Sequence, residues 1–430
     1  MNCINESSST WIIDLAMSLF DYTPNKFAQE KLRLFLKKPS ASIAGIIAKQ
    51  DILKGFIDNN PITKAAYGKS DLYSVIDFLD ILKNKAAITN KEKWAIRLNI
   101  NRKMRLQGSL IQTSLLLNAI YDVYFKNLSL KGFPSSYRKE ALWCADFLNK
   151  INAMSIDRRR IQDGHIKTKL LVIYHNSLVE ETKNGNFSRF WEAVFWLEAY
   201  QWIARGIQKN GFNFPKITND NELKLTSIYH PSLRDPIKNS FLPGKNVLLL
   251  TGPNMSGKST FLKAVSICVF FGNLGLAIPA EEGVIPCFDI FFNSFTKEDD
   301  LEKEYSHFMN EIMTLKDVVE NAAQNKKCFA VFDEIFRGTN AEDANAVTRK
   351  TLEGIIRFDH SFFIISTHLH ALEDIDLIKE NKIDTCYFES GISENMPVFS
   401  YTIKKGWSNL KLGEILFRTS GLDALLRPSS

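Results

Sequence analysis

Eight residues, Gly252 to Ser259, read GPNMSGKS and satisfy the spacing GxxxxGK[ST]. A loop that holds phosphate must let several backbone N–H groups converge on its oxygens. That requires glycine where a side chain would obstruct, and it aims the following helix N-terminus at negative charge. Gly252 and Gly257 fill that need, with Pro253, Asn254, Met255 and Ser256 between them. Lys258 is expected to reach the β and γ phosphates of a nucleotide, Ser259 to ligate magnesium, and Thr260 to open the helix.

Two further positions carry chemistry. The run CFAVF, Cys328 to Phe332, ends in Asp333 and Glu334, adjacent carboxylates at the end of a strand that reads as buried. Parallel sheets place their ligand sites at such ends. The pair divides labour: Asp333 holds magnesium through water, and Glu334 orients or deprotonates an attacking water. The run FFIIST, Phe362 to Thr367, ends in His368, placed to contact the γ-phosphate or the same water. Metal binding by His368 and His370 is not expected, because no third and fourth ligand is apparent.

Val247 to Thr251 (VLLLT), Cys328 to Phe332 and Phe362 to Thr367 are continuous apolar runs separated by helical segments, the pattern of strands buried on both faces of a parallel sheet. The chain before them differs. Residues 26 to 58 carry apolar positions at helical spacing with a break at Pro39 and Ser40, and similar spacing recurs from Lys91 to Phe125 and from Phe187 to Ile207. Pro, Gly, Asn and Asp cluster from Gly211 onward, which marks a boundary. The expected fold is an all-α domain over 1–215 followed by a P-loop α/β domain with a mostly parallel sheet over 216–430. Ala264 to Ala280 approaches membrane-like hydropathy, but it is short, contains Asn273 and two glycines, and reads as a buried helix.

The 430 residues are 45% hydrophobic and 24% charged, an ordinary globular composition that excludes disorder and collagen. Six cysteines with no paired spacing exclude a disulfide scaffold and fit free thiols in a reducing compartment. The first twenty residues contain no Lys or Arg and their apolar stretch Trp11 to Phe20 is interrupted by Asp14, so no targeting signal is visible and a cytoplasmic chain without a membrane span is expected. The net charge of +6 conceals a division. Up to residue 240 there are 35 Lys and Arg against 22 Asp and Glu, and beyond it 19 against 26. A basic front half suits a polyanion such as nucleic acid.

Together these residues resemble the MutS family of DNA mismatch-repair ATPases, whose phosphate loop reads GPNMGGKST where this chain has GPNMSGKST. AIPAEE at 277–282, DDLEKEYSHFM at 299–309, DEIFRGTN at 333–340 and STHLHAL at 366–372 look like successive MutS motifs in the right order. His230 and Pro231 match the family's HP pair, and residues 26–58 and 195–231 look like the start of its helical core and the return from it. The resemblance implies a helical core and lever followed by an ABC-type ATPase that uses ATP and magnesium. It also implies Ile237 beside the adenine, and Ser306 offered to the nucleotide of a partner, so that sites are completed in a homodimer. A helix starting near Ser306 would bury Phe308, Ile312, Leu315 and Val319 on its apolar face.

The chain departs from the family at Ser256, Glu304 and Phe336, each where the family has glycine, and at Asn340 and Ala341, where it has Ser and Thr. No segment resembling the family's N-terminal mismatch reader precedes the core-like part. Phe190-Trp191-Glu192 fits the reader's Phe-x-Glu string but sits in a helical pattern and reads as packing. The expected function is therefore an ATP-dependent, DNA-binding ATPase of MutS type, in mismatch repair or recombination, with no membrane partner. Its backbone contacts would come from Arg97, Arg102, Lys103, Arg105 and the run Arg158, Arg159, Arg160. The competing expectation is an ATP-binding scaffold with little hydrolysis. A transporter ATPase is disfavoured because no LSGGQ signature occurs.

Overall fold

The computed structural model describes residues 6–407 except 41, 60–64, 157–165, 296–303, 337–338 and 394–395, together with 417, 420 and 426. It divides into two compact units. One comprises Met1–Ala16, Leu36–Gln50 and Asn210–Ser430, the other Met17–Phe35 and Asp51–Lys209.

The N-terminal region is helical: α1 (Glu6–Phe20), α2 (Lys26–Lys37), α3 (Ile43–Asp58), α4 (Lys69–Lys83), α5 (Asn90–Leu98), α6 (Ile100–Ile120), α7 (Ser135–Met154), α8 (Thr168–Lys183) and α9 (Asn186–Asn210). The break between α2 and α3 falls at Pro39 and Ser40, as the spacing predicts. The run from Lys91 to Phe125 is less uniform than its periodicity suggests. Thr89 and Glu92 form a capping box that starts α5, and the Asn99 side chain accepts the Arg102 N–H to start α6. A π-turn, Tyr121–Phe125, then ends that run.

Helix α9 is apolar on most sides and therefore central to the helical unit. Phe190 and Trp191 are buried in its core, the packing role expected of Phe190-Trp191-Glu192. One charged residue shares that core. Glu198 accepts from Asn25 Nδ2 at 2.8 Å, from the Tyr124 hydroxyl at 2.7 Å and from the Tyr67 hydroxyl. Burial holds its carboxyl above the usual range. The folded state thus keeps this proton more tightly, so the group favours folding most below the ordinary carboxylate range and less as pH rises through its raised value. Glu198→Leu strands three donors at once. Urea unfolding should show a loss of about 3 to 5 kcal/mol, and a loss below about 1 kcal/mol would remove this cluster as a structural tie.

The second unit is α/β with mixed sheets. Its strands are β1 (Lys216–Thr218), β2 (Lys224–Ile228), β3 (Asn239–Phe241), β4 (Val247–Thr251), β5 (Glu282–Pro286), β6 (Ile290–Ser294), β7 (Cys328–Phe332), β8 (Phe362–Ser366), β9 (Asp384–Ser393) and β10 (Met396–Lys405). Six of them form a sheet ordered β10-β9-β4-β8-β7-β6, in which only the β9–β10 pair is antiparallel. The other four form a separate sheet, β1-β5-β2-β3, with one parallel and two antiparallel pairings. The expectation of one mostly parallel sheet therefore holds only in the coarser form, an α/β unit with mixed sheets.

Helices α10 (Lys258–Leu274), α11 (Glu304–Ala323), α12 (Ala341–Ile355) and α13 (Asp376–Lys379) complete the unit. Helix α10 takes up only the first part of the long apolar run Ala264–Ala280, because left-handed Gly275 ends it and 275–280 lie outside the helix. Its buried contacts reach both sheets. Phe270 meets Phe291 of β6 at 4.9 Å, and Asn273 Nδ2 donates to the Pro286 carbonyl of β5. Among the described residues no helix is long and apolar enough to cross a membrane. The five cysteines among them are free, and Cys144, Cys268 and Cys328 are buried.

Candidate functional site

Strands β4, β8 and β7 lie side by side and parallel, with Leu250 opposite Ser366 and Phe332 opposite Ile365. Their C-terminal ends thus share one edge. The chain leaves β4 into the loop 252–257, β7 into Asp333 and Glu334, and β8 into Thr367 and His368, so three segments distant in sequence meet where parallel sheets hold ligands.

A cavity of about 510 Å³ opens at this edge. Asn254, Met255, Gly257, Lys258, Ser259 and Thr260 line it together with Glu334, and Ile237 lines it with other residues between 228 and 236. Gly252 and Gly257 have φ of 134° and 102°, angles that L-residues rarely adopt. Gly257 is also crowded, since a Cβ there would lie 3.2 Å from the Tyr401 ring. The N-terminus of α10 has no side-chain cap. Its first N–H groups lie beside the solvent-facing Ser259 and Thr260, at the end of a helix whose dipole favours negative charge. Lys258 is buried, and its ammonium donates to the carbonyls of Gly252 at 2.7 Å and Pro253 at 2.9 Å. It spans the mouth of the loop. Ser256, buried behind the loop, does not line the cavity.

The acids are held by other elements. Asp333 donates its N–H to the Ser294 carbonyl at 2.9 Å, and its carboxylate accepts from the Ser366 hydroxyl at 2.6 Å. The Glu334 N–H donates to the same Ser366 oxygen at 2.8 Å, while its carboxylate meets His368 Nε2. Ser366 is buried at the last position of β8, and sequence reasoning missed its part in holding both acids. Glu334, Phe336 and Met255 all have left-handed backbones, with φ of 58°, 64° and 68°. Each costs about 1 to 2 kcal/mol, and such strain gathers where the surroundings enforce a functional geometry.

The cavity is also lined by Tyr401, Phe388 and Tyr229, which carried no sequence signal, and by His230 of the HP pair. Tyr401 lies at a register shift in β10, where Asn239 Nδ2 donates to its carbonyl at 2.9 Å. Its ring, with Phe388 and Tyr229, gives the cavity an aromatic wall. His230 also lines it, and burial together with Lys263 lowers its pKa. Its Nδ1 accepts the Ser232 N–H at 3.3 Å, the arrangement of a neutral imidazole.

Ser306 lies in the first turn of α11, and its side chain falls outside the described residues, as does that of Glu304. Phe308, Ile312, Leu315 and Val319 of α11 pack on the α/β core, as their spacing predicts. Arg158, Arg159 and Arg160 also lie outside the described residues. Arg97, Arg102, Lys103 and Arg105 sit on α5 and the start of α6, in the helical unit.

Comparison with known proteins bears on the segment that carries this cavity. Residues 248–422 match the family model MutS domain V. A DNA mismatch repair protein MutS of Listeria monocytogenes serotype 4b is 32% identical over 231 residues, 52% of this chain and 26% of the relative. The protein of the same name from Alkaliphilus metalliredigens is 28% identical over 316 residues, 69% of this chain and 35% of the relative. That from Bacillus velezensis is 31% identical over 225 residues. The aligned part of the chain thus spans about a quarter to a third of the length of these curated relatives. The phosphate loop and the acid pair lie within the matched segment, so the C-terminal part of the chain that carries them is similar to MutS domain V.

Proposed function

We propose that the chain binds ATP with magnesium and hydrolyses it at sites completed by a second copy, and that this cycle changes the grip of its helical unit on DNA, in mismatch repair or recombination. The observation that carries the reading is the meeting of Lys258 and Glu334 in one cavity at the shared edge of β4, β8 and β7. The residues also suit the ligands. The cradle has positive-φ glycines, the α10 N-terminus lacks a side-chain cap, and a serine hydroxyl and a carboxylate are available as hard oxygen donors.

Ser259 and Asp333 would hold magnesium, whose chemistry there is to offset charge on the β and γ phosphates. Lys258 exchanges its loop carbonyls for phosphate oxygens. Glu334 takes the proton of the attacking water, with His368 fixing the carboxylate. Ile237 and the aromatic wall enclose the base. Ser306 of the other copy completes the site, a role that rests on the family resemblance. The relatives' name supports the repair pathway.

DNA contact rests on the α5–α6 corner. Residues 90–105 carry six Lys or Arg and one Glu, and most are exposed. Trp94, Leu98, Ile100 and Met104 are exposed among them, with the Arg97 guanidinium 5.3 Å from the Trp94 ring. Basic residues with exposed apolar side chains suit a phosphate backbone and its groove.

Titrating the protein with a fluorescent ATP analogue and magnesium, following single-turnover hydrolysis, and measuring duplex binding across a salt series test the three parts separately. Absent nucleotide binding would remove the whole reading. The competing scaffold, in which ATP joins two chains with little turnover, draws on Phe336, a buried ring where the family has glycine. Binding without single-turnover hydrolysis would favour it.

Ser366→Ala supplies a further test of the acid pair. Asp333 and the Glu334 amide lose their shared partner, so single-turnover hydrolysis should slow by about 10- to 100-fold with ATP affinity within about threefold. An unchanged rate would mean that Ser366 does not set the geometry of the acids.

A further inference from the structure

The turn that carries Glu334 is fastened to three elements. Asp333 is tied to β6 through Ser294, Glu334 to β8 through Ser366, and Phe336 to α11 through Glu311, whose Oε2 accepts the Phe336 N–H at 2.7 Å. Two of these ties go to strands of the same sheet, whose register is fixed by the ladder. The third goes to a helix packed on the sheet, a partner that, unlike those two strands, can shift without breaking strand pairing.

Glu311 does not act alone. The Phe308 ring, one helical turn earlier on the same face of α11, meets the Phe336 ring edge-on with centroids 5.8 Å apart. Phe336 is 1% exposed, and its left-handed backbone is one that a phenylalanine keeps only when its surroundings hold it there. A hydrogen bond and a ring contact from α11 therefore clamp the second residue after Glu334. The first turn of the same helix contains Ser306.

We propose that Glu311 is a positioning residue, whose carboxylate together with the Phe308 ring latches Phe336 to α11 and so makes the placement of Glu334 depend on where α11 sits. Displacement of the helix opens the latch, the turn relaxes out of its left-handed conformation, and Glu334 leaves the cavity. The coupling runs both ways, because the acid turn also holds the helix. As a control on hydrolysis the latch rests on the function proposed above. As a structural device it does not.

Two readouts on Glu311→Ala, Glu311→Gln and Phe336→Gly separate these levels. Backbone amide exchange over 329–336 tests the latch itself. It should quicken at least tenfold in Glu311→Ala and return close to wild type in Glu311→Gln, whose side-chain oxygen still accepts the Phe336 N–H. Phe336→Gly, which suits the left-handed angle but lacks the ring, should show an intermediate effect. Unchanged exchange in Glu311→Ala, or equal acceleration across the whole α/β unit, would overturn the latch. Single-turnover hydrolysis tests its consequence: Glu311→Ala should be slower by tenfold or more with ATP affinity within twofold, and Glu311→Gln should recover most of the rate. A rate unaffected by Glu311→Ala, or one that falls only in step with ATP affinity, would overturn the control of Glu334. No hydrolysis by the wild type would instead refute the proposed ATPase and leave the exchange result to decide the latch.

Discussion

Glu334→Gln should reduce single-turnover ATP hydrolysis by at least about 100-fold and leave magnesium-dependent ATP binding within about threefold. The side chain keeps its size and one oxygen toward His368, so the substitution removes the base and little else. General-base catalysis is worth about 10² to 10⁴ in rate, or roughly 3 to 5 kcal/mol of barrier. Electrostatics predicts that binding survives, because the carboxylate lines the cavity and repels a triphosphate more than a neutral amide does. Any change in affinity should therefore be toward tighter binding. The measurement is product formed after mixing excess protein with a trace of labelled ATP, so that product release does not enter. Equal rates for the two proteins would mean that water is activated elsewhere or that this pocket does not turn nucleotide over. A parallel collapse of binding would mean that Glu334 holds up the cavity wall.

The site was legible in the sequence for a physical reason. β4, β7 and β8 are buried along their whole length, so each appears as an unbroken apolar run, and the chain leaves each run at the shared C-terminal edge of the sheet. Polar residues at those points interrupt an otherwise uniform signal. The four-stranded sheet offered no such contrast. β1 and β3 are three residues each, too short for any period to register, and β2 alternates only weakly.

Ser366, Tyr401 and Glu311 escaped for a different reason. Ser366 closes a buried strand and was read with its apolar neighbours, although its hydroxyl is what holds both acids. Tyr401 is aimed at the cavity by a register shift within a hairpin, and Glu311 reaches the acid turn from a helix distant in sequence. These are relations between elements, and local pattern encodes which face is buried, not against what. The membership of 1–16 and 36–50 in the α/β unit is the same case, since helical periodicity names no partner.

Replacing Arg97, Arg102, Lys103 and Arg105 together by glutamate should lower duplex affinity by about 10² to 10³ and flatten its salt dependence. Each phosphate neutralised by a basic residue releases bound counterion, and the slope of log affinity against log salt is about −0.9 per contact. Losing up to four contacts should thus reduce the magnitude of that slope by up to about 3.6, a change that a loss of shape complementarity does not produce. These residues occupy α5 and the first turns of α6, where Ile96 is the buried residue of α5 and burial in α6 begins at Leu110, so the substitutions leave the helical core untouched. ATP binding and thermal unfolding should stay at wild-type values. Trp94 supplies an independent view of the same corner. It is 62% exposed, and duplex that covers it should quench its fluorescence, while Trp94→Ala should weaken binding with no change in salt slope. An unchanged slope in the fourfold variant would move the DNA elsewhere on the protein. A quench equally strong with anionic vesicles would assign the corner to a charged membrane surface, because a patch that pairs exposed apolar residues with lysine and arginine is chemically suited to either polyanion until the two are offered side by side.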